Sequence, residues 1–112
     1  MLNEKVANLL NEQIMKELYS AYLYLDMANY YSDEGLTGFE NWFYVQAKEE
    51  MDHAMLIRGY MLNNDVKITL LPIDAHNQNY ADFAAPLAET LTHEQFVTAS
   101  IHTIYAAANE VH

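Results

Sequence analysis

Glu50 and His53 stand three residues apart, and side chains at i and i+3 on a helix project side by side. The sequence therefore predicts a carboxylate and an imidazole presented together on one helical face. Two further glutamates occupy positions where apolar residues are expected. Residues seven apart share a helix face. Glu17 has Leu10 and Tyr24 as its heptad neighbours, with Ile14 and Ala21 on the same stripe. Glu50 lies between Phe43 and Ile57, and Glu94 between Leu87 and Ile101 with Leu91 beside it. The pattern places all three carboxylates on inward-facing stripes, with Gln46 and Tyr60 as the heptad partners of His53.

Carboxylates that converge in a dry interior cannot all be ionised unaided, because each buried ion costs several kcal/mol. None of the five basic residues, Lys5, Lys16, Lys48, Arg58 and Lys67, falls on those stripes. The acids must then share protons, since like charge raises a pKa, or hold a cation. One Glu-x-x-His with further glutamates from facing helices is the ligand set of carboxylate-bridged di-iron and di-manganese sites. Oxygen and imidazole ligands without thiolate suit iron or manganese and also admit zinc. In that arrangement Glu50 bridges two metals, Glu17 and His53 complete one position, and Glu94 reaches the other. The competing reading is a set of solvated carboxylates on misassigned faces.

Other residues carry weaker signals. Glu49, at the edge of the Glu50 stripe, reads as solvated surface or as a third metal position. Tyr24 reads either as a polar-tipped core residue or as a hydrogen-bond partner of a ligand. Met51 and Met55 read as core or interface filler. His76, His93, His102 and His112 form no spaced cluster and read as surface.

Positioning these groups falls to long helices. Apolar residues recur at helical spacing through Val6, Leu9, Leu10, Ile14, Leu18 and Leu25, which predicts a first helix over about 3–32. Asn3 is its cap, and Ser32-Asp33-Glu34-Gly35 is its stop. A second helix is expected over about 36–63, opened by Thr37 and Glu40 as a capping box, with Gly59 costing about 1 kcal/mol inside it. The chain changes character over 64–85. Val66-Lys67-Ile68-Thr69 is strand-like, Pro72 forbids a helix interior, and Asn77-Gln78-Asn79 reads as loop. Pro86 suits the first turn of a third helix, over about 86–112.

Geometry follows from these lengths. A helix of about 26 residues is about 40 Å long, and a connector of about 20 residues stretches to roughly 65 Å, enough to run the whole length of a bundle. The first two helices are therefore expected to form an antiparallel hairpin, with the third parallel to the second. Glu17 lies 17 residues before Glu34 in the turn and Glu50 lies 16 after it, so the two carboxylates should meet at one level. The fold expected is an all-α antiparallel bundle with a long crossover, one domain over 1–112. An apolar groove is left open where a fourth helix, or another copy, must cover it.

Composition narrows the function. The 112 residues are 52% hydrophobic, too apolar for disorder, and carry 5 basic against 16 acidic residues, a net charge of −11. That balance argues against a nucleic-acid binder and equally disfavours anionic lipid. With no Cys, disulfides, thiolate zinc sites and iron–sulfur clusters are ruled out. No signal peptide or membrane span is visible, so a cytoplasmic protein without a membrane partner is the expectation.

At these residues the sequence resembles the ferritins, and within them the non-haem bacterial type. The resemblance is carried by Asn11-Glu12-Gln13-Ile14, by the run from Glu17 to Leu25, and by Gly38-Phe39 with Trp42-Phe43. Glu49-Glu50-Met51-Asp52-His53-Ala54 and His93-Glu94-Gln95 complete it. It implies an iron-storage subunit with ferroxidase activity, oxidising Fe(II) with O2 or peroxide at a di-nuclear iron centre and storing ferric mineral in a 24-subunit homo-oligomeric shell. Glu17, Glu50 and His53 would hold the first iron, and Glu50 and Glu94 the second. Tyr24 would stand beside the centre, and Glu49 would belong to an additional iron site. Zinc or manganese would substitute for iron, and no haem is expected. The resemblance also implies a fourth long helix and a short fifth; this chain carries three, so a truncated form is expected. The alternative is a catalytically impaired metal-binding helical protein that oligomerises to cover its open face.

Overall fold

A computed structural model describes residues 2–74 and 79–110. Among them are three helices: α1 (Glu4–Asp33), α2 (Thr37–Asn63) and α3 (Ala84–Glu110). Their boundaries follow from local chemistry. Asn3 caps α1, its side-chain oxygen accepting from the Lys5 amide at 2.8 Å, as the sequence predicts. The helix ends on Gly35, whose φ of +74° lets the Leu36 amide reach back to the Tyr31 carbonyl and the Gly35 amide to Ser32. This is the paired closure in which a left-handed residue satisfies the last carbonyls. α2 ends the same way, with Val66 bonding to Met61 and Asp65 to Leu62, but here Asp65 takes the left-handed position at φ +58°.

Three local expectations are corrected. The Thr37–Glu40 capping box does not form: Leu36 is the cap, without a side-chain hydrogen bond, and Thr37 is already helical. α3 starts two residues early because the Asp82 carboxylate accepts from the Ala84 and Ala85 amides at 3.1 and 3.0 Å. The strand-like residues 66–69 form no ladder. Instead the Asn11 side chain acts as a backbone substitute, its amide donating to the Thr69 carbonyl and its oxygen accepting from the Thr69 amide, both at 2.9 Å. Of the expected loop, residues 77 and 78 lie outside the described residues, as do His76 and His112.

Contacts between elements fix the topology. Glu17 meets residues of the middle of α2, and Tyr31 stacks on Phe39 and Phe43 near its start, so α2 runs antiparallel to α1. Lys5 pairs with Glu110, Lys16 with Ser100, Ser20 with His93 and Met27 with Thr90, so α3 is antiparallel to α1 too. α2 and α3 are therefore parallel, as the connector length requires, and they do not pack against one another.

α1 lies between the other two and buries most of the core. One apolar cluster contains Leu23, Tyr24, Met27, Ala28, Tyr31, Phe43 and Ala47. The second contains Ile14, Met15, Ala54 and Met61, with Val66, Ile68 and Ile73 of the connector packed against it. Between them lie the buried polar residues Glu17, Ser20, Glu50 and His93, with Gln13 one helical turn before Glu17 at the level of the second cluster.

The third helix corrects an inference drawn from apolar spacing. Its packed face is Pro86, His93, Val97, Ser100 and Ala107, turned toward α1. The stripe of Leu87, Leu91 and Ile101 is exposed, and Glu94 with it. Between Phe39 and Trp42 of α2 and Leu87 of α3 lies an apolar cavity of about 420 Å³. The chain exposes 7261 Å², against about 6,300 Å² for a compact monomer of this mass, and large apolar residues of α2 and α3 are among the exposed ones. No helix among the described residues is long and apolar enough to cross a membrane.

Candidate metal centre

The level argument for Glu17 and Glu50 is met. Both are buried, one from each strand of the hairpin, and His53 Nδ1 lies 3.4 Å from Glu50 Oε2 and 3.7 Å from Glu17 Oε2. One ligand atom from each of Glu17, Glu50 and His53 falls within 4.8 Å of the other two. The His53 side chain is half exposed on the open side, so the group is a recess with a solvent-facing imidazole edge.

Electrostatics suit this recess to a cation. Burial first, and then the adjacent Glu17 carboxylate, push the Glu50 carboxyl up to about 9, with like charge from Glu94 and Glu49 adding to the effect. In the metal-free protein Glu50 therefore holds its proton at neutral pH. Glu17 Oε2 is buried and receives no N–H donor; the proton held by Glu50 is hydrogen-bonded to Glu17. A divalent cation would replace the proton and satisfy that oxygen, so the residues fit a metal of the oxygen-and-imidazole class.

Glu94 enters from α3 by another route than the one its spacing suggests. Its backbone lies on the exposed face, yet its carboxylate accepts a hydrogen bond from the Tyr24 hydroxyl. Tyr24 is almost fully buried; burial, then the hydrogen bond to Glu94 and the charges of Glu94, Glu50 and Glu17, hold its hydroxyl well above the ordinary phenol range. The structure thus brings Tyr24 and Glu94 together beside the recess, with Glu94 outside the group of three. Glu49 is exposed and touches the centre only through its charge. Met51 and Met55 are exposed, and so is His102.

His93 corrects the reading of it as surface. It is buried, shares a 2.6 Å hydrogen bond with Ser20, and stands edge-on to the Tyr24 ring at 5.9 Å. The helix turns about 100° per residue, so facing His93 toward α1 turns Glu94 outward. Gln13 was not singled out by its chemistry. It is buried and donates from Nε2 to Glu17 Oε1 at 2.9 Å. The available signal was its place on the stripe Gln13, Glu17, Ser20, Tyr24, where three successive polar residues occupy apolar positions.

A family model for the ferritin-like domain matches residues 7–112. The chain belongs to the ferritin family. It is 38% identical over 104 residues to the bacterial non-heme ferritin of Campylobacter jejuni, covering 93% of this chain and 62% of that one. Against the bacterial non-heme ferritin of Staphylococcus saprophyticus it is 31% identical over 110 residues, covering 98% and 66%. The chain thus spans less than two thirds of these relatives' length. Among solved structures, an engineered closed form of the Archaeoglobus fulgidus ferritin superposes with a TM-score of 0.94 at 35% identity, over 98% of this chain and 67% of that one. A humanized archaeal ferritin superposes at 0.95 with 37% identity, over 98% and 67%. The three ferritin helices seen here are therefore arranged as in those proteins.

Proposed function

We propose that this chain is a cytoplasmic iron-storage ferritin subunit with ferroxidase activity, taking Fe(II) as substrate at a di-nuclear centre built on Glu17, Glu50, His53 and Glu94. The observation that carries the reading is the convergence of Glu17, Glu50 and His53 in a buried recess of a ferritin-family bundle. Glu17 and His53 would hold the first iron and Glu50 would bridge to the second, losing its proton as metal enters. Glu94 would hold the second iron from α3. Each iron gives up one electron to O2 or peroxide. The chain's own work is to fix the ligands, to keep Tyr24 hydrogen-bonded to Glu94, and to exclude water from one side of the recess. Glu49 would take a further cation on the exposed side. We assign the exposed apolar stripes to homo-oligomeric assembly, in the 24-subunit form that the family resemblance implies.

The test is the growth of ferric absorbance after Fe(II) is mixed with aerated protein. Glu50→Ala should abolish it. A rate equal to that of protein-free buffer in the unsubstituted chain refutes the reading. A second reading, metal binding without turnover, is favoured by one observation: among the described residues, Glu17, Glu50 and His53 form the one group of three or more ligand side chains close enough to hold a metal, and Glu94 lies outside it. It predicts a stabilising shift with Zn(II) and no ferric absorbance.

A further inference from the structure

Gln13 is 2% exposed, and its Oε1 has no hydrogen-bond partner. An amide with an orphaned buried acceptor is a poor choice for stability, since the missing bond costs about 1–3 kcal/mol and an apolar side chain would fill the site at no such cost. The amide's other end explains its presence. Nε2 donates to Glu17 Oε1; an amide nitrogen is a donor and a carboxylate only accepts, so this orientation is set by the partner. The bond joins residues one helical turn apart. It occupies one oxygen of Glu17 and leaves the other, Oε2, without an N–H donor, 3.7 Å from His53 Nδ1.

We propose that Gln13 is a positioning residue of the metal centre, one that fixes the Glu17 side chain and commits its Oε2 as the single ligating oxygen. The inference rests on the metal-binding reading above. Outer-shell partners that orient a metal ligand weaken metal affinity by about 10–100-fold when removed. A packing residue behaves differently, because its loss lowers the stability of the metal-free protein.

Gln13→Met separates the two, since it keeps length and bulk and removes the donor and the orphaned acceptor together. Zn(II) affinity by calorimetry should fall about 10–100-fold, while the melting temperature of the metal-free protein is unchanged or higher. With both Glu17 oxygens free, Co(II) bound at the site should show an altered visible absorption band. Gln13→Leu, which is shorter and branched, should give the same pattern and is read in place of Gln13→Met if that variant does not fold. Unchanged Zn(II) affinity and an unchanged Co(II) band in a folded variant overturn the inference, as does a fall in metal-free melting temperature that accounts for the loss of binding. Glu17→Ala is the control. If the unsubstituted chain fails to bind Zn(II), or Glu17→Ala binds as well as the unsubstituted chain, it is the metal-binding reading that falls, and the inference with it.

Discussion

Glu50→Gln probes the metal-free centre directly, because glutamine has nearly the shape of a protonated glutamate and carries no charge to bury. Glu50 titrates at its ordinary value of 4.5 when unfolded and near 9 when folded, chiefly through burial. The folded value is the higher, so the fold favours the neutral form. Whatever stability Glu50 contributes is fully present below pH 4.5, declines as pH rises, and is lost by about pH 9. At pH 7 the chain sits 2.5 units above the unfolded value of 4.5, and at about 1.36 kcal/mol per unit the loss is about 3 kcal/mol. The recess opens to solvent beside His53, and screening there reduces the figure to roughly 1–3 kcal/mol.

Replacing the carboxyl by an amide should return that amount at pH 7 and nothing at pH 4. One kcal/mol moves the melting temperature of a domain this size by about 4 °C or more. Thermal melts of the metal-free variant should therefore lie at least about 4 °C above those of the unsubstituted chain at pH 7, with the gap closing at pH 4. Metal reverses the order. A cation at a hundred times its dissociation constant stabilises by about 2.7 kcal/mol, and the variant, lacking the Glu50 carboxylate, should gain much less. A variant that is destabilised equally at pH 4 and pH 7, or one that gains as much from Zn(II) as the unsubstituted chain, refutes the reasoning.

The same Gly-to-Ala change should act with opposite sign at two sites. At Gly59 an added Cβ meets nothing within 4 Å and φ is ordinary, so Ala should stabilise by about 1 kcal/mol; at Gly35, with φ +74°, it should destabilise by about 1–2 kcal/mol, both read from urea midpoints. Phe43→Ala removes a fully buried ring stacked on Tyr31 at 5.4 Å and should cost about 3–5 kcal/mol by the same measurement. Tyr24→Phe removes the donor to Glu94 while leaving Glu17, Glu50 and His53 in place. It should slow Fe(II) oxidation yet preserve Zn(II) affinity at the first position, and equal loss of both would contradict the division.

The helices were legible because their cues are local. Asn3, Gly35 and Pro86 act within a turn of themselves, and the counts from the turn to Glu17 and Glu50 depend only on a regular rise per residue. What the sequence concealed depends on which neighbour a face meets. Leu87, Leu91 and Ile101 form a clean apolar stripe, but periodicity says only that a stripe exists. Docking α3 on α1 alone turns His93 inward and leaves the stripe exposed, so the residue read as surface and the residue read as core exchange places. Residues 66–69 carry real strand propensity, yet no second strand is present among the described residues, and the Asn11 side chain supplies the partner instead. Gln13 escaped because polarity at a core position points to a function without naming it; its role shows only once its two ends are seen to be treated differently.

The division of the core has a consequence for how the proposed centre is assembled. A chain selected for stability alone would join its two apolar clusters, whereas this one places Glu17, Ser20, Glu50 and His93, all buried and polar, between them. Glu17, Glu50 and His53 depend only on the α1–α2 hairpin, whose helices pack along their length around Phe43, Ala47 and Ala54. Glu94 depends on α3, which is held to α1 largely by polar ties: Lys16 to Ser100, Ser20 to His93, Tyr24 to Glu94, and Thr90 to the Met27 sulfur. The buried members of both apolar clusters come from α1 and α2 alone, so the hairpin carries the apolar burial that is the main stabilising force of the fold. The first metal position is thus built into the more robust part of the fold. The second rides on a helix whose remaining apolar face is exposed, so its geometry should tighten when that face is covered.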